Sequence, residues 1–300
     1  MMSSPTGNNP ARTRRAARAG APRGLFVLGV PRSGTTLIGN YLGSSPAVLN
    51  LAEYGGFYVV HSVAPAVINR IPGFHHDAYL AEIQEHARTF AERLATEKRC
   101  TWYLDHTPWN LEVAAELAAD PPGSLFVVML RHYAGNILSL HQFPWGGKTW
   151  EDTAQLWVTL SSLIIQLPAD RLIPVGYDTL AQEPGETLGS LRSSLENHGF
   201  DTRRLDDRLL AVSHAAVVGE PRPVIGVLDS GQVRCLHPID SFDSLRWSGD
   251  IHARVWPIVR DMHFELLRRF PGVYRSPPAP SSLTLHDDSR GLIPYELEAW

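Results

Sequence analysis

Apolar residues in this chain come in short unbroken runs, each closed by a polar or glycine-containing turn and followed by a stretch of helical spacing. Gly24-Leu25-Phe26-Val27-Leu28-Gly29 is the first run, and its length and bounding turn predict a buried strand. After the turn, Leu37, Ile38, Tyr41 and Leu42 recur at helical spacing. Further strands are predicted at Thr101-Trp102-Tyr103-Leu104, at Ser124 to Leu130 and at Leu172 to Val175. Between and after them, His76 to Arg99 carries Leu80, Ile83, Ala87, Phe90 and Leu94 on one helical face, and helices are expected over Thr149 to Leu167 and Ile251 to Phe270. At Asp105-His106-Thr107-Pro108 an Asp or Thr cap and the proline open a helix that runs through Leu117. Apolar strands alternating with helices predict an α/β fold, a parallel sheet joined by right-handed crossovers and flanked by helices on both faces.

Ligands of such sheets bind beyond the carboxyl ends of the strands. Arg32, His106, Arg131 and Tyr177 all follow predicted strand ends, so one cleft is expected to hold the four. The loop Val30-Pro31-Arg32-Ser33-Gly34-Thr35-Thr36 lies between a strand and a helix. Its backbone N–H groups and the open first helical turn favour an anion. Arg32 adds fixed charge, and Ser33, Thr35 and Thr36 add hydroxyl donors, which suits phosphate or sulfate. Gly29 and Gly34 keep the spacing of a nucleoside-triphosphate loop, but Thr35 stands where that loop requires lysine, which counts against ATP or GTP hydrolysis and against a kinase. Further on, Arg131 at a strand end and Ser139 about two helical turns later form a candidate grip for a second anion, as on an adenosine phosphorylated at two ends.

With 300 residues, a net charge of −4 and 44% hydrophobic residues, the chain suits a globular protein and does not point to nucleic acid as a partner. No run has the length of a membrane span. The arginines at 12, 14, 15 and 18 run into the first strand, not into a separate signal core, so a cytoplasmic protein is expected. Cys100 and Cys235 sit in no metal or redox spacing and are expected as buried free thiols. The pair His75-His76 has no partner at metal-ligand spacing, so no metal is expected. Residues 1–23 read as a disordered basic arm, 24–274 as one domain and 275–300 as a Pro-rich tail. The tail's apolar end packs either on the body or on a second subunit, the latter making a homodimer.

The motifs resemble those of sulfotransferases that use 3′-phosphoadenosine 5′-phosphosulfate (PAPS). Pro31-Arg32-Ser33-Gly34-Thr35-Thr36 resembles the family's 5′-phosphosulfate loop, and Arg131 with Ser139 its 3′-phosphate pair. The likeness is closest to the tyrosylprotein-sulfotransferase branch and its bacterial relatives, from Gly24 to about Tyr274. It implies the sulfotransferase fold, with a P-loop-like parallel sheet. It also implies PAPS as donor and 3′,5′-adenosine bisphosphate (PAP) as product, with no metal in the scheme. Val175-Gly176-Tyr177-Asp178-Thr179-Leu180 resembles the segment whose tyrosine lies by the nucleotide. Ser230-Gly231-Gln232-Val233 and Ser244-Leu245-Arg246-Trp247 resemble elements that close over the donor, with Arg246 before the tryptophan.

Glu53 stands at the offsets from Arg32 and Pro46 at which that branch carries its catalytic glutamate. The resemblance therefore implies Glu53 as the general base for the acceptor hydroxyl. Two departures stand out. His132-Tyr133 replaces the usual Asp-Pro or Asp-Gly after the 3′-phosphate arginine, and His106 replaces a lysine that stabilises the departing phosphate. Three roles are open to His106: charge stabiliser, general base, or structural cap. The implied activity is sulfuryl transfer to a hydroxyl of a small-molecule acceptor, a glycosylated or aromatic metabolite. A tyrosine-directed protein sulfotransferase and a PAP- or PAPS-binding protein without transfer activity are the alternatives. Phe143-Pro144-Trp145-Gly146-Gly147-Lys148-Thr149-Trp150 reads either as an acceptor-lining loop or as a turn anchored by core tryptophans.

Overall fold

Residues Leu25 and Val27 of the first apolar run pack into one hydrophobic cluster and Phe26 and Leu28 into another. That alternation with no polar face is why the run is continuous: the sheet is covered on both sides. The computed structural model describes residues 20–58, 76–119, 124–207, 209, 224–227, 233–235 and 249–275. Its elements are β1 (Arg23–Gly29), α1 (Thr35–Gly43), β2 (Val48–Asn50), α2 (His76–Glu97), β3 (Trp102–Asp105), a 3-10 segment (Pro108–Val113), α3 (Ala114–Ala119), β4 (Leu125–Leu130), α4 (Tyr133–His141), α5 (Trp150–Ile165), β5 (Leu172–Gly176), α6 (Tyr177–Gln182), α7 (Pro184–Asn197), β6 (Val224–Val227), β7 (Val233–Cys235) and α8 (Gly249–Arg269).

β1 to β5 form one sheet in the order β2-β3-β1-β4-β5, and every pairing in it is parallel. The chain leaves β1 towards the β2 edge and leaves β4 towards the β5 edge, so the sheet changes direction between β1 and β4. A crevice opens at the carboxyl ends of strands at such a point. One face carries α1 and α7 through Ile38, Tyr41, Leu42, Leu191 and Leu195. The other carries α2, α4, α5 and α8 through residues such as Ala91, Ile137, Trp157 and Val259. β6 and β7 pair antiparallel as a separate ribbon.

The α/β fold with its parallel sheet and flanking helices agrees with the sequence pattern, and four differences are instructive. β2, at the sheet edge, is three residues long and too short for periodicity to reveal. The expected helix from Pro108 begins as a 3-10 segment whose N-cap, Thr107, makes no side-chain capping bond. Cys100 is a free thiol but only half buried. Arg269, of a residue type that ordinarily faces solvent, instead donates from Nη2 to the carbonyl of Leu167 at 2.8 Å. Ser230 and Arg246, the arm as far as residue 19 and the tail from residue 276 lie outside the described residues.

Candidate functional site

The loop after β1 turns sharply. Arg32 has φ 72° and Gly34 φ 100°, while the amide of Ser33 donates to the carbonyl of Val30 at 3.0 Å. A left-handed φ on arginine is uncommon, and such strain persists where surrounding structure enforces it. Two contacts do so here. Asn136 Nδ2 donates to the carbonyl of Pro31 at 3.0 Å, and Arg131 Nη1 donates to that of Arg32 at 2.9 Å. At Gly34 a Cβ would lie 2.7 Å from the Tyr177 ring, so both its φ and its neighbour require glycine. The carbonyls of Pro31 and Arg32 are thus drawn back towards α4 and the end of β4.

Arg131 lies with its guanidinium 4.5 Å from the centre of the Tyr177 ring. Arg32 reaches sideways: its Nε donates to Ser139 Oγ at 3.1 Å and its guanidinium stands 4.5 Å from the centre of the Phe143 ring. Three of the expected anion-binding residues therefore form one cluster across the β1/β4 crevice. Burial, reinforced by neighbouring Arg131, loosens the Arg32 proton, while Tyr177 and Glu53 act the other way. Two cationic guanidiniums held this close favour an anion between or beside them.

The deciding comparison is with families of known proteins. A model described as "Sulfotransferase family" matches residues 22–201. The chain belongs to that sulfotransferase family. No curated protein matches the chain closely enough to count as a relative. Among solved structures, the sulfotransferase domain from the curacin biosynthetic pathway superposes with a TM-score of 0.52 at 15% identity, over 80% of this chain and 97% of that one. The sulfotransferase domain of the olefin synthase from Synechococcus PCC 7002 gives 0.48 at 17% identity, over 80% of this chain and 94% of that one. The first likeness is one of fold.

In this member of the family the remaining expected site residues divide by exposure. Ser33 and Thr35 are buried, whereas Thr36 is half exposed and donates from Oγ1 to Glu53 Oε1 at 3.1 Å. Glu53 is exposed, on a segment where Ala52 has φ 56° and Gly55 φ 67°. His106 is completely buried, and a Cβ added to Gly39 of α1 would overlap its ring. The crevice thus brings together Arg32, Gly34, Arg131, Ser139 and Tyr177, with Thr36 and Glu53 at one side and His106 beneath α1.

Sequence reasoning assigned no role to Asn136, and placed Phe143 in a stretch read either as an acceptor-lining loop or as a turn anchored by core tryptophans. Asn136 stands one helical turn before Ser139 and is fully buried, so a polar residue on the inward side of α4 was the available signal. Phe143 continues into an aromatic series: Phe143 on Trp145 at 5.0 Å, Trp145 on Trp109 at 5.6 Å and Trp109 on Tyr58 at 6.1 Å between ring centres. Trp145 is 44% exposed, which a tryptophan anchored in the core would not be.

His132 closes α4. Its Nδ1 accepts from the amide of Ala134 at 3.2 Å and its own amide donates to Asp178 Oδ2 at 2.8 Å. Here His132 takes over the capping duty of the absent aspartate, and Asp178 from α6 supplies the carboxylate. Among the described residues no group of three or more His, Cys, Asp or Glu is arranged to hold a metal ion. No helix among them is long and apolar enough to cross a membrane.

Proposed function

We propose that this sulfotransferase binds PAPS across the carboxyl ends of β1 and β4 and transfers its sulfuryl group to a hydroxyl of a small-molecule acceptor. One observation supports this above the others: the loop after β1 and the arginine after β4 meet at the turning point of the sheet, Arg131 Nη1 on the carbonyl of Arg32 at 2.9 Å. The residues fit the donor. The cradle at Gly34 admits no Cβ, the first turn of α1 begins at it, and the Arg131 guanidinium lies against the same Tyr177 ring that walls it.

PAPS supplies an activated sulfuryl group with PAP as its leaving group. Arg32, the loop amides and Thr36 hold the reacting end, and Arg131 with Ser139 hold the far phosphate. Sulfuryl transfer through a loose, in-line transition state resembles phosphoryl transfer, so position and charge stabilisation carry most of the rate. Glu53 is the base: it is exposed, and its carboxylate meets Thr36 in the first turn of α1. For His106, complete enclosure under α1 favours the structural role over stabiliser or base. The aromatic series from Phe143 to Tyr58, beside Arg32, supports an acceptor with a flat apolar face. The chain from 24 to 274 is assigned to one domain on the same reading.

Thermal unfolding with PAP or with ATP and magnesium tests the donor. At about a hundredfold excess over its Kd, PAP is expected to raise Tm by roughly 5–10 °C, because a ligand stabilises only what it binds when folded. Stabilisation by ATP and magnesium without any by PAP would overturn the proposal.

A further inference from the structure

Asp105 or Thr107 was expected to cap the next helix, and Thr107 stands at the N-cap of the 3-10 segment that opens it. The Thr107 side chain makes no capping bond. Instead its Oγ1 donates to Asp105 Oδ1 at 2.6 Å and accepts from the amide of Gly55 at 3.0 Å. The same Asp105 oxygen accepts from the Thr107 amide at 2.8 Å. On the other side of Glu53, the amide of Leu51 donates to the carbonyl of Leu104 at 2.8 Å, and the amide of His106 donates to that of Ala52 at 3.0 Å.

The carboxyl end of β3 therefore stitches down the chain on both flanks of Glu53. The segment needs such anchors, because Ala52 and Gly55 are both left-handed and no helix or strand holds them. We infer that Asp105 and Thr107 are positioning residues that set where the Glu53 carboxylate stands, an inference that rests on Glu53 being the base. A hydroxyl has one proton to give. With that proton committed to the buried Asp105 carboxylate, the oxygen of Thr107 must turn its lone pair to Gly55 N–H. Asp105 thus fixes the polarity of the link and Thr107 its length. The link bonds to Gly55 and Asp105 and reaches the anion loop through Glu53 on Thr36, so it acts on the rate of the bound donor far more than on affinity for PAP, which lacks the reacting group.

The test uses the full chain with PAPS and water as the acceptor, followed as single-turnover release of inorganic sulfate, with PAP affinity measured alongside. Thr107→Val is expected to slow release about 10–100-fold, the scale of a small misplacement of a reacting group, with the PAP Kd within about twofold of wild type. Thr107→Ser, which restores the hydroxyl, is expected to stay within about threefold of wild type in rate. Asp105→Asn, a milder change should Thr107→Val not fold, is expected to slow release about 3–10-fold at unchanged PAP affinity. In the Glu53→Gln background, itself about 10²–10⁴-fold slow, Thr107→Val adds little, since it acts through a group already removed. Wild-type rates in Thr107→Val, or in Asp105→Asn if Thr107→Val does not fold, overturn the positioning role while Glu53→Gln remains slow. So does a Thr107→Ser enzyme as slow as the valine variant. A Glu53→Gln enzyme at full rate, or wild-type release no faster than from free PAPS, removes the Glu53 reading and this inference with it.

Discussion

Arg32 and Arg131 illustrate how far single residues can be read. Their positions after strands mark them as anion ligands in the sequence, since charge at a strand end in a parallel sheet has little else to serve. What each side chain touches was not legible. Arg131 spends one N–H on the Arg32 carbonyl and lies against Tyr177, and Arg32 leans on Ser139 and Phe143. Those partners lie 99 and 107 residues along the chain for the two hydrogen bonds, beyond any periodicity. Arg131→Ala is expected to weaken PAP binding about 10–100-fold, from charge-assisted hydrogen bonds worth roughly 1.5–3 kcal/mol. Calorimetric titration with PAP measures it, and an unchanged affinity would withdraw Arg131 from the donor site. Release of the Arg32 carbonyl would also loosen the loop, so the larger loss is expected if both effects act.

At the scale of elements, β1, β3, β4 and β5 were readable because strands buried on both faces need uninterrupted apolar runs. α5 was readable from its helical spacing, and the structure adds a capping box in which Thr149 and Asp152 satisfy each other's backbone amides. β2 was not, being short and half buried. The 3-10 start at Pro108 was hidden because Thr107 has a stronger claim elsewhere, from Asp105 and Gly55. The packing of α1 on β3 depends on a residue with no side chain. Gly39 lets the helix close over the His106 ring, so Gly39→Ala would overpack a fully buried site. Such insertions typically cost about 1–3 kcal/mol. Urea unfolding of Gly39→Ala is expected to show that loss as a lower midpoint at unchanged slope. A midpoint equal to wild type would mean that α1 does not bear on His106.

For the whole molecule, a buried group of aromatic and imidazole rings joins α4, α8 and the segment that follows α8. His263 Nδ1 lies 3.0 Å from the Tyr274 hydroxyl, which accepts from the Tyr133 amide at 3.4 Å, and the His132 ring stands edge-on to His263 at 5.3 Å. Burial drives His263 down to about 4 and His132 well below its usual value, the latter also pressed by His263 and His252. The sign follows. Below about pH 6.5 the unfolded chain takes up protons that the folded one refuses, so stability falls with pH from about 6.5 towards 4. Buried Asp178 and Asp105, whose proton affinities are raised mainly by burial, oppose this in the acid part of the range. Urea unfolding is expected to give a free energy about 2 kcal/mol lower at pH 5 than at pH 7 from His263 alone. His263→Asn is expected to flatten that dependence. A flat profile in the wild-type protein would show that these rings are reached by water.

The sequence by itself determined the alternation of four of the sheet's five strands with helices, the anion-seeking character of the loop after β1, and the family to which the chain belongs. These rest on local patterns: unbroken apolar runs, helical spacing, and charged or hydroxyl residues placed just after strands. Tertiary structure alone decided that Arg32 leans on Ser139, that His106 is sealed beneath Gly39, and that Thr107 anchors Gly55 instead of capping a helix. The physical reason is that each outcome is a competition between a nearby partner and one brought close by a crossover. Only the folded sheet sets the distances on which that competition turns.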